Sequence, residues 1–218
     1  MLAAFTLAQI LGYPFPAALA RDARGTAIAY ALVTRGVRTL WFARAPGFAP
    51  VQLFSSGGDD GQELSNLAIS DDAARVVYVR GGDHDANWPL PLQPDAALSP
   101  VQPEMQMWSV STREGAPKLL GTGDAPAISP DGTRVAFTND GAAMIAPIDG
   151  SAAAKRLFFD RGQASDLQWS PDGSALAFVS TRTDHSFIGV YRNDATPIEY
   201  IAPTTSQDFM PRWSPDGT

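Results

Sequence analysis

The stretch Trp169-Ser170-Pro171-Asp172-Gly173 reads as a strand end followed by a tight turn, and Ala175-Leu176-Ala177-Phe178 after it reads as a second strand. Ser can accept a local backbone hydrogen bond, Pro presets φ at the next position, Asp tolerates the third, and Gly takes the left-handed conformation that closes a hairpin. The turn recurs as Ile128-Ser129-Pro130-Asp131-Gly132, followed by Arg134-Val135-Ala136-Phe137, and again as Trp213-Ser214-Pro215-Asp216-Gly217. One copy specifies only a corner between two strands. Copies with the same apolar sequel specify a repeat architecture.

Two degenerate copies extend the series: Asp22-Ala23-Arg24-Gly25 keeps the closing glycine, and Ser70-Asp71-Asp72-Ala73 lacks it. The five turn starts lie 48, 59, 41 and 44 residues apart, against the ~40–50 residues of a four-stranded propeller blade. The expected fold is all-β: a partial β-propeller of about four four-stranded antiparallel blades plus the start of a fifth, with the ring not closed. The blades are expected at 15–56, 64–121, 124–160 and 165–202, with the next starting over 208–218. Their outer strands are expected at Val51–Phe54, Pro117–Leu120, Lys155–Phe159 and Ile198–Ile201, and Phe5–Ile10 is the candidate ring-closing strand. The long 59-residue interval contains Gly81–Glu104, whose five prolines exclude a central strand or a helix interior and suggest an ordered excursion. No segment keeps a 3.6-residue apolar period over a dozen positions, so helices should be absent or minor.

The chain has 218 residues, 44% hydrophobic and 18% charged, enough to bury a core. Sixteen Lys and Arg against 23 Asp and Glu give a net charge of −7 with no basic run, which argues against nucleic acid as a partner. Without cysteine there is no disulfide, thiolate nucleophile or Cys-ligated zinc, and the redox compartment stays open. Met1–Leu11 is apolar but lacks a basic start and is followed by Pro14 and Pro16, which favours a packed edge segment over a residual signal peptide. No stretch reaches the ~20 apolar residues of a membrane span.

In a meander, loops between second and third strands share a face with the links between blades, opposite the Ser-Pro-Asp-Gly turns. That link face receives Asp59, Asp60, Glu63, Asp83, His84, Asp85, Asp160, Asp184, His185 and Asp208; Asp22, Asp71, Asp72, Asp131, Asp172 and Asp216 fall on the other. An acidic rim with two histidines could hold a cationic group such as a peptide amine. The bland alternative is that Asp favours turns. Asp83-His84-Asp85 has metal-binding side chains, but three adjacent loop residues make a poor cage, so no metal or cofactor is expected. Trp169 and Trp213 occupy equivalent repeat positions and read as interblade core, whereas Trp88, in the proline-rich insertion, is a candidate partner contact. Ser170 and Ser214 begin turns with no base nearby in sequence, and there is no Gly-x-Ser-x-Gly elbow.

The W-S-P-D-G-x-x-L-A-F pattern at blade spacing resembles the repeats shared by bacterial TolB and the non-catalytic propeller of prolyl oligopeptidase-type serine peptidases. Asp59-Asp60-Gly61-Gln62-Glu63-Leu64, Val79-Arg80-Gly81-Gly82-Asp83-His84 with Asn87-Trp88-Pro89, and Asp184-His185-Ser186-Phe187-Ile188 look closer to bacterial members related to dipeptidyl-peptidase IV. That resemblance implies a propeller that gates and helps select peptide substrates for a C-terminal α/β-hydrolase domain carrying the catalytic triad, a domain expected beyond Thr218. It also suggests a periplasmic or secreted protein. No catalytic residue is expected in this chain, and no adjacent Glu pair matches the one on which dipeptidyl-peptidase IV anchors a substrate's amino terminus. The alternative is a TolB-like periplasmic protein-binding propeller without catalysis, although TolB-like proteins carry a small α/β domain before the blades, for which Met1–Pro14 leaves no room.

Overall fold

The computed structural model describes residues 6–81 and 104–217. Among these residues the strands form four antiparallel sheets of four, each a meander in sequence order. Unit 1 contains β1 (Phe15–Arg21), β2 (Ala27–Thr34), β3 (Val37–Arg44) and β4 (Val51–Ser55); unit 2 contains β5 (Leu64–Ile69), β6 (Arg75–Arg80), β7 (Gln106–Ser111) and β8 (Lys118–Thr122). Unit 3 contains β9 (Asp124–Ile128), β10 (Arg134–Asn139), β11 (Ala142–Pro147) and β12 (Lys155–Arg156); unit 4 contains β13 (Gln163–Trp169), β14 (Leu176–Thr181), β15 (Ser186–Tyr191) and β16 (Glu199–Ile201). Trp213–Gly217 repeats the opening of a fifth unit.

The repeated turn works through its serine. Ser170 Oγ accepts from Ala175 N at 2.9 Å and donates to Asp172 Oδ1 at 2.6 Å, while Asp172 Oδ1 also accepts from Ser174 N at 3.0 Å. Ser129 and Ser70 bond their own turns in the same way. In unit 1 the buried Asp22 carboxylate takes over the serine's task and accepts from Ala27 N at 2.7 Å. The Ser170, Ser174 and backbone donors hold the Asp172 carboxyl down at about 2. Gly25, Gly132, Gly173 and Gly217 close their turns at φ of 67–80°, a region that penalises other residues. Ala73, buried in the turn that lacks glycine, stands at φ 53° all the same.

Tryptophan then ties unit 4, and the start of the fifth, to the unit before it. Trp169 Nε1 donates to Ala127 O at 3.0 Å, and Trp213 Nε1 repeats the bond on Gln168 O at 2.9 Å. Between successive sheets lie three apolar clusters centred on Ala29, Leu40 and Tyr78, on Val79, Met107 and Phe137, and on Leu167, Leu176 and Phe178. In units 2 to 4 the aromatic eight residues after the turn start, Tyr78, Phe137 and Phe178, thus faces the preceding unit.

A second repeat falls four residues before each turn serine: Asn66, Ala125, Asp166 and Met210 have φ of 46–55°, and the register with the neighbouring strand slips where the residue is paired. These are bulges in the innermost strands. They break the alternation of polar and apolar residues within the strand; unit 4's first strand runs Gln163–Trp169, starting two residues before the blade expected from 165. Units 2 and 3 are joined by Gly123 alone, at φ 149°, where a Cβ would lie 2.4 Å from Thr138 O.

Two expectations are corrected. The described part of the candidate closing strand, residues 6–10, is neither a strand nor a packed edge: Leu7–Leu11 is a short helix (α1) with Leu7 and Ile10 exposed, and Phe5 lies outside the described residues. Thr6 and Gln9 form a reciprocal capping box there, a local bonding pattern that selects helix. The outer strand expected over Lys155–Phe159 pairs only at Lys155–Arg156. Leu157 N still bonds Ala143 O, and Phe158 then turns inward to stack on Tyr191 and pack at a tilt against Phe178.

Candidate functional site

Alternation of strand direction puts the Ser-Pro-Asp-Gly turns at one end of every sheet and the second hairpins and interunit links at the other. On the link face, arginines meet the acidic residues. Arg38 Nη1 lies 3.1 Å from Asp59 Oδ1, Arg80 pairs with Asp60, and Arg182 Nη2 lies 3.1 Å from Asp160 Oδ1. Asp60 and Asp160 stand at the same repeat position, ten residues before Ser70 and Ser170. Each accepts from the backbone N–H two residues on, Gln62 and Gly162, both at 3.1 Å, and each reaches the end of its unit's second strand, at Arg80 and Ser180. Both carboxylates therefore clamp a link to the blade it leads into.

Asp160 is the more deeply set. It accepts from Arg182, Tyr200 Oη, Ser180 Oγ and Gly162 N, with its side chain 3% exposed. Burial pushes its carboxyl up, but these donors outweigh that and lower it below the usual carboxylate value. Burial and the Asp160 carboxylate together raise the Tyr200 phenol.

Above this cluster opens a cleft of about 1050 Å³ between units 3 and 4. Its walls combine aromatic side chains, Phe158 from unit 3 and Phe187, Tyr191 and Tyr200 from β15 and β16, with polar ones, and the Arg182 guanidinium lies over the Phe187 and Tyr200 rings. At one end His185 Nδ1 lies 2.6 Å from Asp184 Oδ1, and the imidazole packs on Phe187 with centroids 4.7 Å apart. At the other, Tyr191 Oη donates to Asp194 Oδ1 at 2.8 Å. The arrangement presents ring faces and two exposed carboxylates. Among the described residues no group of three or more His, Asp or Glu is placed to hold a metal ion.

Of the residues proposed from sequence, the cleft unites Asp184 and His185 with Asp160. Asp59, Asp60 and Glu63 sit apart in the link between units 1 and 2. Asp208 lies in the last link, where its carbonyl accepts from Ser186 Oγ at 2.6 Å. Asp83, His84, Asp85 and Trp88 lie outside the described residues. Sequence reasoning missed the pairing arginines Arg38, Arg80 and Arg182, and also Tyr200 and Phe158. The ten-residue offset of Asp60 and Asp160 from their turn serines was the available signal for the clamps. Nothing local marks Tyr200, 40 residues from Asp160.

No protein-family profile matches the chain. It is 26% identical to an uncharacterized protein of Agrobacterium fabrum over 200 residues, covering 84% of this chain and 68% of that protein. Among solved structures, TolB from Acinetobacter baumannii superposes with a TM-score of 0.60 at 16% identity, over 94% of this chain and 47% of TolB. The chain thus spans about half the length of that TolB. An oligogalacturonate lyase from Vibrio parahaemolyticus gives 0.61 at 18% identity, over 91% of this chain and 55% of the lyase. A prolyl endopeptidase gives 0.59 at 12%, over 87% of this chain and 30% of the enzyme. The fold is that of a TolB-like β-propeller, and the same propeller likeness extends to proteins of different activities.

Proposed function

We propose that the chain acts by binding: a non-catalytic TolB-like propeller whose link face recognises polypeptide. The carrying observation is the state of that face. Asp160 has donors on both oxygens and is fixed as scaffold, while the cleft beside it, with Arg182 over the Phe187 and Tyr200 rings, is open to solvent. A carboxylate so saturated is poorly placed to move a proton, whereas an open aromatic wall can bind. The Agrobacterium relative supports a stand-alone propeller. Its 200 matched residues are 68% of its length, which leaves about 90 more, room for about two blades of ~40–50 residues. A hydrolase sheet assembled from units of ~30 residues would need more chain.

The second reading is that the propeller gates and helps select peptides for an α/β-hydrolase domain of a longer protein; the prolyl endopeptidase likeness favours it. A fluorophosphonate probe applied to the whole gene product separates the two. Absence of a labelled serine, together with retention of polypeptide partners, is the outcome expected of a binding propeller. Stoichiometric labelling would overturn it in favour of the peptidase.

A further inference from the structure

We infer that the crevice between units 1 and 2 is a docking place for a proline-rich segment of a partner polypeptide, held through its backbone carbonyls. The inference rests on the binding reading above and names the kind of segment that this crevice takes.

Strand alternation builds the crevice. Arg80 and Tyr78 stand two residues apart on β6, and Trp108 pairs with Tyr78 across the hairpin to β7, so the three side chains share one face of unit 2. That face looks toward unit 1, whose Phe54 packs on Tyr78 with centroids 5.7 Å apart and lies under the Arg80 guanidinium at 4.9 Å. Together with Ser55, Ser56 and Pro117 these residues line a cavity of about 320 Å³. Tyr78 is fully buried, whereas Trp108 and Pro117 are half-buried and reach solvent.

The cavity carries a surplus of donors. Among the described residues, Tyr78 Oη, Trp108 Nε1 and Arg80 Nη1 are buried with no hydrogen-bond partner. An indole and a guanidinium only donate, and burial pushes the Tyr78 phenol above its ordinary value, which keeps its proton in place. The rim hydroxyls are engaged already: Ser55 Oγ accepts from Gly57 N, and Ser56 Oγ accepts from Arg38 N and donates to Gly58 O. Buried donors left in this state are costly, and an incoming acceptor relieves them.

That inventory selects the occupant. Arg80 is paired with Asp60, so a carboxylate would enter without a counter-ion of its own, whereas an uncharged carbonyl needs none. One carbonyl has two lone pairs, so three donors require more than one carbonyl. A polyproline II segment supplies them, because its backbone makes no internal hydrogen bonds and proline brings no N–H for the cavity to leave unpaired. Its pyrrolidine rings can pack on Trp108 and Pro117, and its fixed φ limits the cost of ordering.

The probes are acetyl-hexaproline-amide, acetyl-(Gly-Ser)3-amide of the same length, and sodium acetate, titrated into the full chain. Affinity is read by calorimetry and location from the Trp108 indole N–H resonance, assigned among the five tryptophans through Trp108→Phe. Hexaproline should shift that resonance and bind about tenfold tighter than the Gly-Ser peptide, and acetate should leave it in place. Trp108→Phe and Tyr78→Phe keep an aromatic ring and remove one donor each, so each should weaken hexaproline about fivefold. Tyr78→Phe should not lower the urea midpoint of the free protein, because the hydroxyl has no partner there to lose. Equal binding of the two peptides, an acetate response matching that to hexaproline, full affinity in both variants, or a midpoint lowered by Tyr78→Phe would each overturn the inference. None of these touches the binding reading itself, which the fluorophosphonate result and the retention of partners test separately.

Discussion

Removing one oxygen from the repeated turn isolates how much the motif stabilises its unit. In Ser170→Ala the buried Ala175 N–H loses its acceptor at 2.9 Å, and Asp172 loses its Ser170 donor. Leaving a buried backbone donor unpaired costs ~1–3 kcal/mol, so a loss of about 2 kcal/mol is the working figure. Ser174→Ala is the control: its Oγ reaches only the exposed Asp172 carboxylate, at 2.9 Å, and surface changes of that kind stay within about 0.5 kcal/mol. Urea unfolding followed by tryptophan fluorescence reads both, since Trp169 and Trp213 tie unit 4 to its neighbours. With a slope of about 2 kcal/mol per molar, Ser170→Ala should lower the midpoint by about 1 M and Ser174→Ala by no more than about 0.25 M. Coincident midpoints would show that the serine is a turn former in sequence statistics only, with no structural task of its own.

Four further outcomes follow from the same contacts. Asp72, Asp131 and Asp172 are all held below the ordinary carboxylate value by serine and backbone donors, Asp172 at about 2, so their stabilisation is present above about pH 4 and lost as pH falls toward about 2. Acid titration by circular dichroism should show that loss, and Asp172→Asn should flatten part of it. Asp160→Ala, which strands the mostly buried Arg182 guanidinium, should cost about 3 kcal/mol, against about 1 kcal/mol for Tyr200→Phe; equal effects in urea melts would refute the clamp. Gly189→Ala, which drives a methyl into Phe178, should cost ~1–3 kcal/mol, whereas Gly25→Ala meets no neighbour and should cost ~1–2 kcal/mol from its left-handed backbone alone. Unit 1 shows Phe15 and Leu19 to solvent, and beyond unit 4 Phe209 and Met210 are exposed, so sedimentation velocity should show concentration-dependent association; a monodisperse monomer would contradict it.

The blades were legible because each is announced by residues that act within six positions of one another. Ser170, Asp172, Gly173 and Ala175 settle their hairpin without help from the rest of the chain. The inner-strand bulges hid because Asn66, Ala125, Asp166 and Met210 share a backbone conformation but no side-chain chemistry. α1 was misread because apolar content was weighed above its Thr6–Gln9 cap. At the candidate site, Asp184 and His185 could be placed on the correct face from loop order alone. The arginines could not, since Arg80 and Arg182 close on carboxylates 20 and 22 residues upstream.

Gly123 gives the ring an uneven mechanical grain. Units 1 and 2, and units 3 and 4, are spliced by longer links, at 56–63 and 157–162, which Asp60 and Asp160 clamp to the blade that follows. Units 2 and 3 share one residue wedged against Thr138 O, too short to act as a hinge and too crowded to carry a side chain. If the protein is divided or permuted, the productive breakpoint is the exposed stretch at 57–58, ahead of the Asp60 clamp. The central pair should stay together as the smallest separable piece.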